Sequence, residues 1–460
     1  MKKETMLSDG VFIRSLSRLA LPMAAQSLMV SAVGVADTLM LGGVEQNAMA
    51  AVSLASKFQF LQNMVLFSVV AALVILGAQY WGKGNRDAVS RLFFIALRLC
   101  GGVSILFFAL CEFVPQIMMR FFTNDPELNR IASEYLRVAA WSYLLTGFSQ
   151  CYLGLLKISD HAKDTAVISS AAVVLNIVLN AVLIFGLAGE PMGVQGAAVA
   201  TLIARITELI WAAGLSFRQG YIRPDYTRFL QRAGVLTRDF IRCMLPLLGA
   251  GLLWGVGFTA YSAFMGHIDQ DAPAANSVAS SVIELVCCLC NGLANGGGIL
   301  VGNALGAGDL EKGKLYGTRM VKMSFAVGIA TSLLMFAITP LVMSIVRLND
   351  AAQGYLHSMM IVMSVYTVGR VINTITINGV FSAGGDTLFD MYSLAVSMWG
   401  IALPLAFLGT FVFHWPVWLV YACTCLDEVG KIPWVMIHFR KYKWVRDLTR
   451  DREALAGTGC

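Results

Sequence analysis

Charge is scarce in this chain: Asp, Glu, Lys and Arg make up 13% of its 460 residues, against 57% hydrophobic, and the mean hydropathy is +0.69. A soluble core of this length has no room for so much apolar surface, so the composition predicts an all-α polytopic membrane protein. Histidine is scarce too, with five in all and none in H-E-x-x-H spacing, and G-x-S-x-G is absent. An intramembrane enzyme would therefore lack a metal set or an activated nucleophile, and no enzymatic activity is expected. The two Gly-rich stretches Gly77–Gly84 and Val301–Gly308 do not end in Gly-Lys-Ser/Thr, which excludes a phosphate loop and favours helix-to-loop turns needing positive φ. Ten cysteines form no disulfide framework, because most (Cys287, Cys288, Cys290, Cys423, Cys425) lie inside apolar runs and read as small packing residues. The N-terminus has no cleavage pattern and the C-terminal Gly-Thr-Gly-Cys is no prenylation box, so the first apolar run is expected to stay as a membrane helix.

Long apolar runs are what the chain has in abundance. Twelve of spanning length fall near 16–41, 50–80, 92–118, 134–156, 164–187, 194–216, 240–266, 275–303, 318–346, 356–382, 390–413 and 416–438. The net charge of +6 is confined to alternate loops, among them Lys83, Arg86 and Arg91, then Arg218 to Arg238, then Lys312, Lys314 and Arg319. This alternation places both termini in the cytoplasm of a cell whose inner (plasma) membrane the chain crosses. It also assigns the basic charge to topology and anionic lipid rather than to nucleic acid.

The chain is duplicated. Residues Leu21–Gly84 align without a gap on Leu245–Gly308, at the offset of 224 that separates Pro22 from Pro246. Six spans per copy is an even number, so the repeats are parallel, related by an axis along the membrane normal, with a cavity expected between them. The expected domains are a first lobe at 1–216, a connector at 217–239, a second lobe at 240–438 and a cytoplasmic tail at 439–460. The duplication isolates one acid: Asp37, alone in the first span, has Tyr261 as its counterpart. A carboxylate toward the middle of a membrane helix is disfavoured by roughly 2.5–3.5 kcal/mol, so it marks an ion or substrate path.

Four stretches carry a resemblance: Gly34-Val-Ala-Asp-Thr-Leu-Met-Leu-Gly42, Leu175–Gly186, Gly196–Arg205 and Val301–Asp309. In this order, on a duplicated twelve-span frame, they resemble the bacterial multidrug and toxic compound extrusion (MATE) transporters. The resemblance implies two pseudo-symmetric six-helix lobes forming a V around a central cavity, and an antiporter that exports organic, often cationic, compounds in exchange for Na⁺ or H⁺. It implies no cofactor beyond that ion, small organic substrates and the lipid bilayer as partners, and a monomer. The family's first-lobe cation site maps onto Asp37, Asn176, Asn180 and Thr201, which would hold Na⁺ if the transporter is sodium-coupled. Pro22 maps onto the position where some members bend the first helix as the acid changes protonation. A flippase or exporter of lipid-linked or amphipathic metabolites, on a related fold, is the alternative within the same superfamily. Twelve spans and the acid at Asp37 argue against it.

The chemistry of the first-lobe set is coherent by itself. Asn176 and Asn180 are four apart and project from one helix face, Thr201 adds a hydroxyl, and such oxygens suit either a hard cation or a protonated acid. Interhelical amide bonding is the competing structural reading. Lys57 lies about as far from the external loop as Asp37 does, and is either its cation partner or a side chain snorkelling to the interface. The second lobe lacks a carboxylate in its first span, where Trp254-Gly-Val-Gly257 stands, and its tenth span offers Arg370, Asn373 and Asn378. Glu284, Arg370, Asp427, Glu428 and Lys431 all fall near span centres and are expected to cluster, with Arg370 neutralising at least one acid. Such a cluster is either a structural pin or a second ion site.

Overall fold

The computed structural model describes residues 9–42, 46–120, 125–186, 191–218, 221–229, 234–269, 271–346 and 348–450. Of these, the side chains of 9, 32–42, 46–50, 185 and 228 lie outside the description. The described residues contain helices and no strand. In chain order they are α1 (Asp9–Gly42), α2 (Gln46–Gly82), α3 (Arg86–Phe113), the short α4 (Pro115–Arg120), α5 (Pro126–Ile158), α6 (Ala162–Phe185) and α7 (Gly193–Ser216). There follow α8 (Gly234–Ile268), α9 (Ala272–Val286), α10 (Cys288–Gly306), α11 (Leu310–Ile345) and α12 (Asp350–Asn373), which runs on as a π-helix over Thr374–Phe381. The chain ends with α13 (Thr387–Leu394), a second π-helix over Ala395–Ala402, α14 (Leu403–Phe411), α15 (Val417–Thr424), the single turn α16 (Leu426–Val429) and α17 (Ile432–Arg440).

Eight of the described helices are long and apolar enough to cross a membrane, or nine when α9 and α10, which meet at 42° around Cys287, count as one span. Of the remaining apolar runs, the one in α1 is only partly described. The one in α5 shares its helix with Glu127, Arg130, Glu134, Arg137 and Lys157, and the last is cut into α15, α16 and α17.

The chain divides into two compact units, residues 1–24 with 245–449 and residues 25–244 with 450–460. This division differs from the sequence expectation at its edges: the start of α1 packs with the second half of the chain, and the connector and the start of α8 pack with the first. Glycine is the physical reason in the case of α1. A Cβ on Gly292 or Gly296 of α10 would lie 2.5 Å from the Ala24 nitrogen or 2.7 Å from that of Ala20, so only glycine admits this helix–helix approach. Both α1 and α8 continue through their interior prolines, Pro22 and Pro246, and each changes unit within two residues of its proline.

The repeat is visible in the turns as well. Gly84 and Gly308 have φ of +73° and +80°, the left-handed conformation that the Gly-rich stretches predicted. The next residue in each copy caps the following helix: the Asn85 side chain accepts from the Ala88 amide at 3.2 Å and the Asp309 carboxylate from that of Lys312 at 3.1 Å. The Asp-Thr pairs at the start of α6 and α13, Asp164-Thr165 and Asp386-Thr387, behave differently. Asp164 sits inside the first turn of α6, where it accepts from the Tyr221 hydroxyl at 2.8 Å, and Asp386, at the N-cap of α13, is held by His438 Nε2 at 2.6 Å instead of by backbone. In each unit, α5 or α12 is the helix that others pack around. α5 meets α2, α3 and α7, and α12 meets α9 and α11.

Candidate functional site

In the unit formed by 25–244, α6 and α7 run side by side and are stitched by a short polar chain. Asn180 Nδ2 donates to Asn176 Oδ1 at 3.3 Å, Asn176 Nδ2 donates to Thr201 Oγ1 at 3.2 Å, and the Thr201 hydroxyl donates to the Ala197 carbonyl at 3.0 Å. Asn176 and Asn180 are buried, and Thr201 is half-buried. The structure thus brings three of the four expected site residues together, with two side-chain amides and a hydroxyl in one hydrogen-bonded chain. Their oxygens are of the kind that a hard monovalent cation or a protonated carboxyl takes. The side chain of Asp37 lies outside the described residues. Lys57 on α2 is exposed, and Pro22 is half-buried within α1.

A second polar group in this unit escaped the sequence reading. Glu208 of α7 is 3% exposed and accepts from Arg205 at 2.6 Å, from the Ser149 hydroxyl at 3.1 Å and from the Ser169 hydroxyl at 3.4 Å; Gln26 Nε2 donates in turn to Ser169 Oγ at 2.8 Å. The signal was present as an Arg and a Glu three apart in an otherwise apolar run, the spacing of a helical ion pair. The serines and the glutamine come from other helices and have no local signature.

The unit containing 245–449 holds the expected charge cluster, in altered form. Gly430 and Pro433 interrupt the last span, and the break carries Asp427, Glu428 and Lys431, which are 4%, 9% and 5% exposed. Lys431 Nζ pairs with Glu428 Oε2 at 3.1 Å, and Asn373 Nδ2 donates to both the carbonyl and Oε2 of Glu428 at 2.7 Å. Arg370 binds the Tyr366 hydroxyl at 3.3 Å and acts on Glu428 and Asp427 only through longer-range attraction. The direct counter-ion is therefore Lys431 rather than Arg370, because a three-residue spacing brings Lys431 back over Glu428. Glu284 does not join the cluster. Its side chain is exposed on the last turn of α9, which the bend at Cys287 ends; Asn378 is exposed as well.

Tyr261, the repeat counterpart of Asp37, is buried among Leu394, Met398, Ala402 and Leu403 and lies within electrostatic reach of Asp427. Asp427 Oδ1, Tyr261 Oη, Asn373 Oδ1 and Thr376 Oγ1 are buried with no hydrogen-bond partner among the described residues. Nothing in the spacing of these residues announces them as a group. Asn373 and Thr376 lie where α12 passes into the π-helix, and Asp427 lies on the single turn α16.

Comparison with known proteins agrees with this geometry. The MatE family model matches residues 22–182 and 246–408, two blocks that begin on the repeat-related prolines. The uncharacterized transporter YisQ of Bacillus subtilis is 25% identical over 401 residues, covering 86% of this chain and 87% of the relative. The probable multidrug resistance protein NorM of Thermotoga maritima is 23% identical over 460 residues, 95% of each. Among solved structures, the Vibrio cholerae MATE transporter VcmN superposes with a TM-score of 0.87 at 13% identity over 95% of this chain and 99% of that one. A MOP superfamily transporter from Pyrococcus furiosus does so with 0.81 at 19% identity, over 93% and 96%. These two likenesses establish the fold. With the family model matching well over half of the chain, the protein belongs to the MATE family of transporters and is a multi-pass membrane protein.

Proposed function

We propose that the protein exports small organic, often cationic, compounds across the plasma membrane in exchange for Na⁺ or H⁺, by alternating access, with Asp37 as the coupling carboxylate. The chain then crosses the membrane twelve times with both termini in the cytoplasm. The observation that carries this reading is the Asn180–Asn176–Thr201 hydrogen-bond chain, a set of neighbouring amide and hydroxyl groups on α6 and α7. The multidrug names of the curated relatives, among them MdtK of Yersinia enterocolitica, support the substrate class.

With Na⁺ bound, Asn176, Asn180, Thr201 and Asp37 would hold it, and the ion would supply the positive charge that an ionised carboxylate needs at membrane depth. With H⁺, Asp37 itself is neutralised and the amides and hydroxyl accept or donate hydrogen bonds to the acid. In either case the loaded site carries no net charge, which removes the electrostatic cost of moving it through a closed state. The same carboxylate attracts a cationic substrate once the ion has left, so ion and substrate exclude one another.

The test is uptake of a fluorescent organic cation into proteoliposomes under an imposed Na⁺ or H⁺ gradient, comparing wild type with Asp37→Asn. Gradient-driven uptake should fall to the level of protein-free vesicles in the variant, and uptake that survives intact removes Asp37 from the coupling. Asn180→Leu should weaken the response to the coupling ion while leaving the fold intact.

A further inference from the structure

We infer that Asp427 is a second proton-binding carboxylic acid, carried by the last span beside the buried Glu428–Lys431 ion pair. The inference is independent of the role given to Asp37.

The backbone is the first argument. The last span is interrupted between α15 and α16 and again at Gly430, while α12 opens into a π-helix at Thr374, directly after Asn373. The turns at Cys425 and Gly430 keep right-handed helical dihedrals and loosen the helix without leaving it, and π-helical turns concentrate at functional sites. In this unit both irregularities fall beside the same carboxylates.

Charge is the second argument. Three carboxylates, those of Asp390, Asp427 and Glu428, interact with one another and with two cations, Arg370 and Lys431. Fully ionised, the group holds one negative charge in excess, in surroundings that otherwise present Tyr366 from α12, Tyr261 from α8, Tyr421 and Cys425 from α15 and its end, and Cys287 from the bend before α10. Buried charge that is not compensated is expelled by taking up or releasing a proton. Glu428 is committed to Lys431 and Asn373, whereas Asp427 has an oxygen with no donor.

Hydrogen bonding is the third. Asp427 Oδ1, Tyr261 Oη and Asn373 Oδ1 are all buried and unpartnered among the described residues. An ionised carboxylate can only accept, so the buried Asp427 Oδ1 is an acceptor without a donor among the described residues. A proton from water on the Asp427 carboxylate turns one acceptor into a donor and brings the excess charge of the group to zero. A metal cation fits less well, because it would share the site with the permanent charges of Arg370 and Lys431. Tyr261, the repeat counterpart of Asp37, lies within electrostatic reach of Asp427.

Infrared difference spectroscopy of the purified full-length protein in lipid nanodiscs, titrated with pH in H₂O and D₂O, tests this. In Asp37→Asn a protonated-carboxyl band that follows pH should be present, and in the double variant Asp37→Asn/Asp427→Asn it should be absent. Tyr261→Phe should displace its midpoint by about one pH unit, equivalent to about 1.4 kcal/mol. A band that persists in the double variant overturns the inference, and so does Na⁺ abolishing the band in Asp37→Asn at constant pH. If the double variant does not fold, Tyr261→Phe decides alone, and an unmoved midpoint overturns the proposal. A transport defect in Asp37→Asn bears on the proposed function only, so the two can fail separately.

Discussion

Glu208 and Asp427 are both buried to within a few per cent, one in each unit, and their surroundings differ in kind. Glu208 sits on an unbroken helix and receives an arginine and two serine hydroxyls, so its charge is balanced and its oxygens are bonded. Asp427 sits on a single helical turn between two breaks, beside an ion pair that does not include it, with an oxygen left without a donor. A satisfied buried charge holds structure together, and an unsatisfied one is a place where an ion or proton can change the energy of the fold. The two units share a repeat, yet the regular one stores its charge as a pin and the irregular one leaves it available.

The largest effect should come from breaking the buried Lys431–Glu428 ion pair of the irregular unit. Lys431→Met leaves Glu428 charged, buried and held only by Asn373, and removal of one partner from a buried pair costs about 3–5 kcal/mol. Thermal unfolding in detergent, followed by fluorescence-detected size exclusion, should show a strongly lowered midpoint or loss of the monodisperse peak. Glu208→Gln and Asp427→Asn then sharpen the contrast. The first removes charged hydrogen bonds worth about 1.5–3 kcal/mol together and should lower the midpoint. The second removes surplus charge and should leave the midpoint unchanged or raise it. A loss of stability in Asp427→Asn equal to that in Glu208→Gln would make both acids pins.

The same contrast marks what could be read in the sequence. The repeat was legible from Pro22 and Pro246 down to the turn glycines, because helix stops are local chemistry, whereas the caps at Asn85 and Asp309 were not read. The first-half oxygens were legible because Asn176 and Asn180 lie on one helix face and a family motif covers them. Glu208 with Ser149 and Ser169 was not, since its partners come from helices 39 to 59 residues away. The grouping of Asp427 with Tyr261 and Asn373 was hidden for another reason. It depends on a broken helix and a π-helix, and a hydrophobic run read as one continuous span averages both away. Glu284 shows the converse error, a residue placed in a cluster by its depth in a span while the bend at Cys287 leaves it outside.

A milder comparison uses the repeat itself. Asn85→Ala and Asp309→Ala remove the same cap from equivalent helices, each worth about 0.5–2 kcal/mol. The two substitutions should lower the unfolding midpoint to a similar degree. A clear inequality would show that the two units, although duplicated, unfold separately and that only one limits the stability of the whole.

The smallest expected effects lie in the loops and have opposite signs in the two units. Asp269, after α8, accepts from the Asp271 amide and from the Tyr355 hydroxyl at 2.9 Å, and these bonds hold its carboxyl below the usual aspartate value. A depressed acid stabilises the fold above its unfolded pKa and ceases to do so as pH falls through the folded one, so this contribution disappears below about pH 4. Tyr221, in the connector, is raised above its ordinary value of 10.0 by burial and by its bond to Asp164. Its contribution is complete below pH 10 and is lost as pH rises through the folded value. Unfolding midpoints recorded against pH should therefore lose part of their acid limb in Asp269→Asn and part of their alkaline limb in Tyr221→Phe. Each substitution should leave the other limb in place, because the two groups belong to different units and share no partner.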